Sequence, residues 1–171
     1  MGPSPIIVKW YRYALPPALL IDLAAIDLSR IVIDKDEILK GNPQRYEFEQ
    51  LDGIVHCDID KQIMVGLRDI RADEWWTRGH IPGRPLFPGV LMIEAAAQLA
   101  SLFGKRVMGD QVFIGFGGVD KVKFREAVVP PARMYILAKA VELRRRRIIC
   151  DVQGVVDGRI VFEGQITGVP M

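Results

Sequence analysis

The stretch Arg78-Gly79-His80-Ile81-Pro82-Gly83-Arg84-Pro85-Leu86-Phe87-Pro88-Gly89-Val90-Leu91-Met92-Ile93-Glu94-Ala95-Ala96-Ala97-Gln98 changes character at its midpoint. Its first half carries Gly79, Pro82, Gly83, Pro85 and Pro88. Proline supplies no N–H and blocks helical continuation, so this half is a shaped loop. The second half has no breaker. Across the 14 residues Val90 to Phe103 only Glu94, Gln98 and Ser101 are polar. A helix apolar on nearly every side is buried on nearly every side. The pattern predicts a helix from Gly89 to Gly104, with Pro88 suited to the start and Gly104 to the stop. The three polar residues fall at i, i+4 and i+7 and share one face.

Outward from this helix the chain reads mostly as β. Upstream, residues 46–71 are strand material, with turns at Asp52-Gly53 and Asp58 to Gln62. Downstream, Val122 and Phe124 alternate with Lys121, Lys123 and Arg125, and Pro130-Pro131 leads into a strand from Met134 to Leu143. A last hairpin, Ile148–Val156 and Arg159–Thr167, pivots on Asp157-Gly158, a favoured two-residue turn. One buried helix with five to seven antiparallel strands makes an α+β fold, a curved sheet over a single helix.

At 171 residues, half of them apolar, the chain is long enough to bury one core. A net charge of +2 gives no case for nucleic acid. Cys57 and Cys150 have neither CxxC spacing nor a histidine cluster, which speaks against a zinc ribbon and fits a reducing, cytoplasmic compartment; one long-range disulfide between them stays open. Residues 1–35 form an apolar leader. Its run Ala14 to Ile26 is interrupted by Pro16, Pro17 and Asp22, too broken to span a bilayer, and is expected to be helical and packed on the domain or on a partner subunit.

A carboxylate in so apolar a helix must find partners or take up a proton. Glu94 has two readings on pattern alone, a structural network with Gln98 or a catalytic acid. His80 shifts the balance. The loop that holds it has little regular hydrogen bonding and runs straight into a helix N-terminus, so a base, free N–H groups and an acid follow within a short length of chain.

This run resembles the signature of the bacterial 3-hydroxyacyl-acyl-carrier-protein dehydratases of type II fatty acid synthesis, roughly GHFPGxPxxPGVLxxEAxAQ, without a gap. The likeness continues through Gly118-Val119-Asp120, Phe124, Val128-Val129-Pro130 and Val156-Asp157-Gly158, and more loosely upstream through Leu39 to Asp52. It covers residues 36–171. The resemblance implies a hot-dog fold that pairs as a homodimer, commonly assembled further as a hexameric trimer of dimers. It places the histidine of one subunit opposite the glutamate of the other, beside an acyl tunnel.

On that reading His80 is the general base and Glu94, protonated in apolar surroundings, the general acid. The Gly89 N–H holds the thioester oxygen, Gln98 positions Glu94 or the released water, and the Leu86 carbonyl orients the imidazole. No metal or organic cofactor is required. Acyl carrier proteins are acidic, so Arg78, Arg84, Lys121, Lys123 and Arg125 are candidates for docking, against a solvated strand face for the last three. The run Arg144 to Arg147 reads as a solvated edge, and Trp75 and Trp76 as packing residues. Gln44, Glu47, Glu49-Gln50 and Gly53 depart from the family pattern, near the expected interface or substrate entrance. Glu94 in place of aspartate implies dehydration without isomerisation. Two other classes stay open, a hot-dog hydratase or thioesterase acting on CoA thioesters and a non-catalytic acyl-binding subunit.

Overall fold

A computed structural model describes residues 17–109 and 111–171. Six strands form one antiparallel sheet in the order β1-β2-β4-β5-β6-β3: β1 Gly53–Asp58, β2 Ile63–Ile70, β3 Ile114–Phe124, β4 Ala132–Arg144, β5 Arg147–Val156 and β6 Arg159–Pro170. A short helix α1, Lys35–Gly41, precedes the sheet, and a long helix α2, Gly89–Met108, lies against it. This is the hot-dog arrangement, α2 wrapped by the curved sheet.

Alternation along the strands builds two apolar layers. Met64, Met134, Ile136, Ala138 and Phe162 join Ala95, Ala96, Leu99 and Phe103 of α2 in the main core. Val55, Val65, Leu67, Leu137 and Val155 point to the other face and form a second, smaller cluster. Chain 17–34 covers that outer face through Leu20, Ile21, Leu23, Ile26 and Leu28. Gln153 clamps it, accepting from the Leu20 N–H at 2.8 Å and donating to the Ala18 carbonyl at 3.1 Å.

Several expectations need correcting. The leader pattern suits a helix, yet residues 17–34 hold only a one-turn 3-10 helix at Leu23–Ala25; residues 1–16 lie outside the described residues. Asp22 and Asp27 accept from the N–H groups of Ala24 and Ser29, bonds that compete with a helix. Helix α1 escapes the pattern reading although Asp34 caps it by accepting from the Glu37 N–H at 2.9 Å. Asp52-Gly53 is no turn, since Gly53 opens β1, and Tyr46–Phe48 is a 3-10 turn, not strand.

Helix α2 runs a turn beyond Gly104. A Cβ at Gly104 would sit 2.2 Å from Ile148 Cδ1 and 2.7 Å from Ile114 Cδ1, so this glycine serves close packing, and Gly109 at φ 104° ends the helix. Arg144 to Arg147 is the tight β4–β5 hairpin between two interior strands, where Glu142 accepts from Arg147 at 2.8 Å. Cys57 and Cys150 are both free.

Candidate active site

His80 sits where a turn begun at Glu74 meets the glycine- and proline-rich loop. Its N–H donates to the Trp76 carbonyl at 2.8 Å, and its imidazole Nδ1 lies 2.8 Å from the carbonyl oxygen of Leu86. The two ends of the loop are held together below it. Trp76 and Phe87 meet edge to face with ring centroids 5.6 Å apart, and the Phe87 N–H donates to the Val128 carbonyl at 2.8 Å. Directly after His80, Ile81 has φ 58°, a left-handed conformation that a β-branched residue avoids. The loop is therefore fixed at both ends and strained next to the imidazole.

What anchors the turn is a buried ion pair. Arg68 donates to Glu74 and, at 3.2 Å, to Asp52; the other oxygen of Glu74 accepts from the Arg71 N–H at 2.8 Å. Trp76 Nε1 also donates to Glu74, at 3.3 Å. Residue-by-residue reading missed this network, because Arg68 and Glu74 look like ordinary strand and loop charges. The signal available was a charged side chain inside the apolar run Met64 to Ile70.

Pro88 precedes α2 without a side-chain cap, so the first-turn N–H groups of Gly89 and Val90 have no partner within the helix. The Phe124 ring lies against Gly89, where an added Cβ would come within 2.7 Å of it, and stacks on Phe162. Any side chain there would have to push the exposed Phe124 ring aside. A cavity of about 470 Å³ opens at this helix end, lined by His80, Leu86, Gly89, Val90, Phe124 and Arg125 among others.

Glu94 stands one turn further along. Its Oε1 accepts from Gln98 Nε2 at 2.8 Å, and Oε2 is unengaged among the described residues. Gln98, 3% exposed, also donates to the Phe48 carbonyl at 2.6 Å and accepts from the Gln50 N–H at 3.0 Å, while Asn42 Nδ2 donates to its carbonyl at 3.0 Å. The expected Glu94–Gln98 pair is thus present, and it ties the helix to residues 42–50. Glu94 itself is only half-buried and lines a second cavity of about 60 Å³, together with Gln44, Ala97 and Ser101.

On one chain, then, His80 and Glu94 line different cavities. The helix expected to be buried all round is also open along one face: Val90 is 71% exposed, and Glu94, Ala97 and Ser101 on the same stripe are half-buried. Of the basic residues expected at the rim, Arg78 and Arg84 are exposed on the His80 loop and Arg125 lines its cavity. The Lys121–Arg125 alternation is broken by a bulge between Asp120 and Lys123, and Arg125 pairs with Glu163, with Lys123 at 3.9 Å. Among the described residues no group of three or more His, Cys, Asp and Glu could hold a metal ion, and no helix is long and apolar enough to cross a membrane.

Comparison with known proteins bears on the family and the fold. Residues 42–165 match the FabA-like domain model. The chain is 35% identical over 137 residues to the 3-hydroxyacyl-acyl-carrier-protein dehydratase FabZ of Desulfotalea psychrophila, covering 78% of this chain and 91% of that protein. Among solved structures, the dehydratase heterocomplex ApeI:P from Xenorhabdus doucetiae superposes with a TM-score of 0.67 at 11% identity, over 78% of this chain and 90% of that one. The TT0310 protein of Thermus thermophilus does so with a TM-score of 0.57 at 19% identity, over 75% and 100%. At such identities the structures speak for the fold alone, whereas the domain match and the 35% relative speak for descent: the chain belongs to the FabA-like family.

Proposed function

We propose that this protein dehydrates 3-hydroxyacyl thioesters carried on acyl carrier protein to trans-2-enoyl thioesters, as an enzyme of fatty acid synthesis, with each active site shared by two chains. The observation that carries it is the clamp of His80 between Trp76 and Leu86 directly ahead of a helix start with open N–H groups. The identity to a 3-hydroxyacyl-acyl-carrier-protein dehydratase over 91% of its length supports the substrate class.

A carbonyl only accepts, so Nδ1 of His80 carries the proton and donates to Leu86, which leaves Nε2 as the base. Nε2 takes a proton from C2 of the substrate. The electron pair forms the C2–C3 double bond as the C3–O bond breaks, and Glu94 in its acid form delivers the proton that turns the leaving hydroxyl into water. The Gly89 N–H, at the positive end of α2, stabilises the thioester oxygen as enolate charge builds. Gln98 holds Glu94 in place from one turn along.

Pairing of two chains is supported by three features. His80 and Glu94 line separate cavities, the Val90–Glu94–Ala97–Ser101 face of α2 is uncovered, and β3 is an edge strand with Phe116 and Phe124 exposed. A homodimer joined edge to edge accounts for all three, and a trimer of such dimers is compatible with it. The exposed Arg78 and Arg84, with Arg125, form a basic rim suited to an acidic carrier protein.

The test is a purified-protein assay with 3-hydroxyacyl-carrier-protein and the matching CoA thioester. Enoyl product from the former at a higher rate supports the proposal; a preference for the CoA ester, or thioester hydrolysis, rejects it. Mixing His80→Ala with Glu94→Gln protein then tests the shared site. Partial return of activity is expected, and none despite proven subunit exchange rules the sharing out.

A further inference from the structure

Ile81 carries a backbone conformation that its own side chain resists. Its φ is 58°, in the left-handed region that β-branched residues avoid, and Pro82 follows, which narrows the choice for Ile81 further. The loop uses glycine for the same duty two positions on, where Gly83 has φ 80°. A glycine at position 81 would hold the angle at no steric cost. Burial does not offset the strain either, since Ile81 is 44% exposed. Strain kept at an exposed position beside a reactive group points to a function.

The chain is fixed on both sides of this residue. Before it, the Trp76 carbonyl accepts from the N–H groups of Gly79, at 3.1 Å, and His80, at 2.8 Å. After it, the Ile81 carbonyl accepts from the Arg84 N–H at 2.9 Å, closing a turn over Pro82-Gly83. Ile81 therefore cannot relax without shifting the His80 backbone on one side or opening the turn on the other. The imidazole is in turn held to the Leu86 carbonyl at 2.8 Å, beyond that turn. A β-branched residue ahead of proline has one narrow well at positive φ, and glycine has a broad one. Ile81 is thus a stiff strut between the two turns that carry the histidine.

We infer that Ile81 is a positioning residue for His80, its confined left-handed backbone setting the direction in which Nε2 points. The inference rests on the proposal that His80 is the base. A general base must meet its proton within hydrogen-bond reach, and a small misplacement lowers the rate steeply. Loosening position 81 spreads the ring over more directions, so less of the bound substrate meets Nε2. That acts on kcat and leaves KM alone.

Two full-length variants separate the backbone from the side chain. Ile81→Gly keeps positive φ accessible but removes the confinement. Ile81→Asn removes the apolar side chain but keeps a residue that tolerates the left-handed region. kcat and KM are measured on 3-hydroxyacyl-carrier-protein, and NMR of the imidazole nitrogens reads the tautomer at about pH 8.5, where an ordinary histidine is neutral. The chain has two histidines, so His56→Gln assigns the signals. Wild-type His80 is expected to show the Nδ1–H form alone. Ile81→Gly is expected to lose about tenfold or more in kcat at unchanged KM, with His80 moving toward the tautomer mixture of a free imidazole. Ile81→Asn is expected to recover most of both. A glycine variant with wild-type kcat and tautomer overturns the inference. So does an asparagine variant as impaired as the glycine one, or a loss of kcat with the tautomer unmoved. If the wild type does not turn over 3-hydroxyacyl-carrier-protein, the dehydratase reading fails, and the imidazole signals alone decide whether Ile81 holds the ring.

Discussion

The Nδ1 of His80 and the carbonyl oxygen of Leu86 are 2.8 Å apart, which fixes both the tautomer and the orientation of the ring before any substrate arrives. They are six positions apart in the chain, on a loop closed by the Trp76–Phe87 contact underneath. His80→Ala should lower kcat by about 10²–10⁴-fold, the span of a lost general base. The side chain is half-buried and makes one bond, so the melting temperature should move little. A variant with near wild-type turnover would remove His80 from the mechanism.

Gln98 holds Glu94, Phe48 and Gln50 at once. Gln98→Leu keeps the volume roughly but strands the buried Gln50 N–H and the part-buried Phe48 carbonyl. A stability loss of about 2–4 kcal/mol is expected in urea unfolding, since each orphaned group costs ~1–3 kcal/mol. Turnover should fall further than stability alone explains, because Glu94 loses its tether. An equally stable and active Gln98→Leu protein would show that the hub is dispensable.

Most of the site is legible in the sequence because its residues follow one another in the chain. The loop from Gly79 to Pro88, the helix after it and the Glu94–Gln98 pair obey local rules of proline, glycine and helical spacing. What is not legible depends on distant chain. Gly104 reads as a stop until Ile148 and Ile114 are seen against it, and the role of Gln98 needs Asn42, Phe48 and Gln50, some 50 positions away. The leader misleads for the opposite reason: its apolar spacing suits a helix, but Asp22 and Asp27 satisfy local N–H groups and the sheet face rewards an extended strap. Helix α2 reads as buried all round, and its open face records a surface that one chain does not cover by itself.

Arg68 and Glu74 supply a test of how the His80 loop is held. Breaking a buried pair by removing one partner costs about 3–5 kcal/mol, whereas replacing both with apolar residues is often neutral. Glu74→Leu should therefore destabilise strongly, and Arg68→Met/Glu74→Leu should recover most of the stability. Activity should not recover with it, because Trp76 Nε1 and the Arg71 N–H still lack the carboxylate that sets the turn. Denaturant unfolding and kcat, measured on the same samples, separate the two effects. Full recovery of kcat in the double variant would mean that the pair serves folding only.

Acid should act on the sheet through Asp69. This residue and Arg133 face each other across β2 and β4, with Arg133 Nε at 2.7 Å and Nη2 at 2.9 Å from the two carboxylate oxygens. The bonds from Arg133 hold the Asp69 carboxyl below the ordinary carboxylate range, against the opposing pull of partial burial. A depressed folded-state pKa adds stability that is complete above the unfolded value, about 3.9, and is lost as pH falls through the folded one. Both side chains are largely exposed, at 55% and 42%, so solvent screening keeps the contribution to about 0.5–1 kcal/mol. Asp69→Asn should therefore be less stable than wild type at neutral pH by that amount, and the gap should close as the pH drops below the carboxylate range. The gap should also narrow in high salt, because exposed charges are screened. A gap that stays constant from about pH 7 to about pH 2, well below the unfolded carboxyl value, would assign the loss to packing or strand propensity, and the ion pair would then contribute nothing to acid sensitivity.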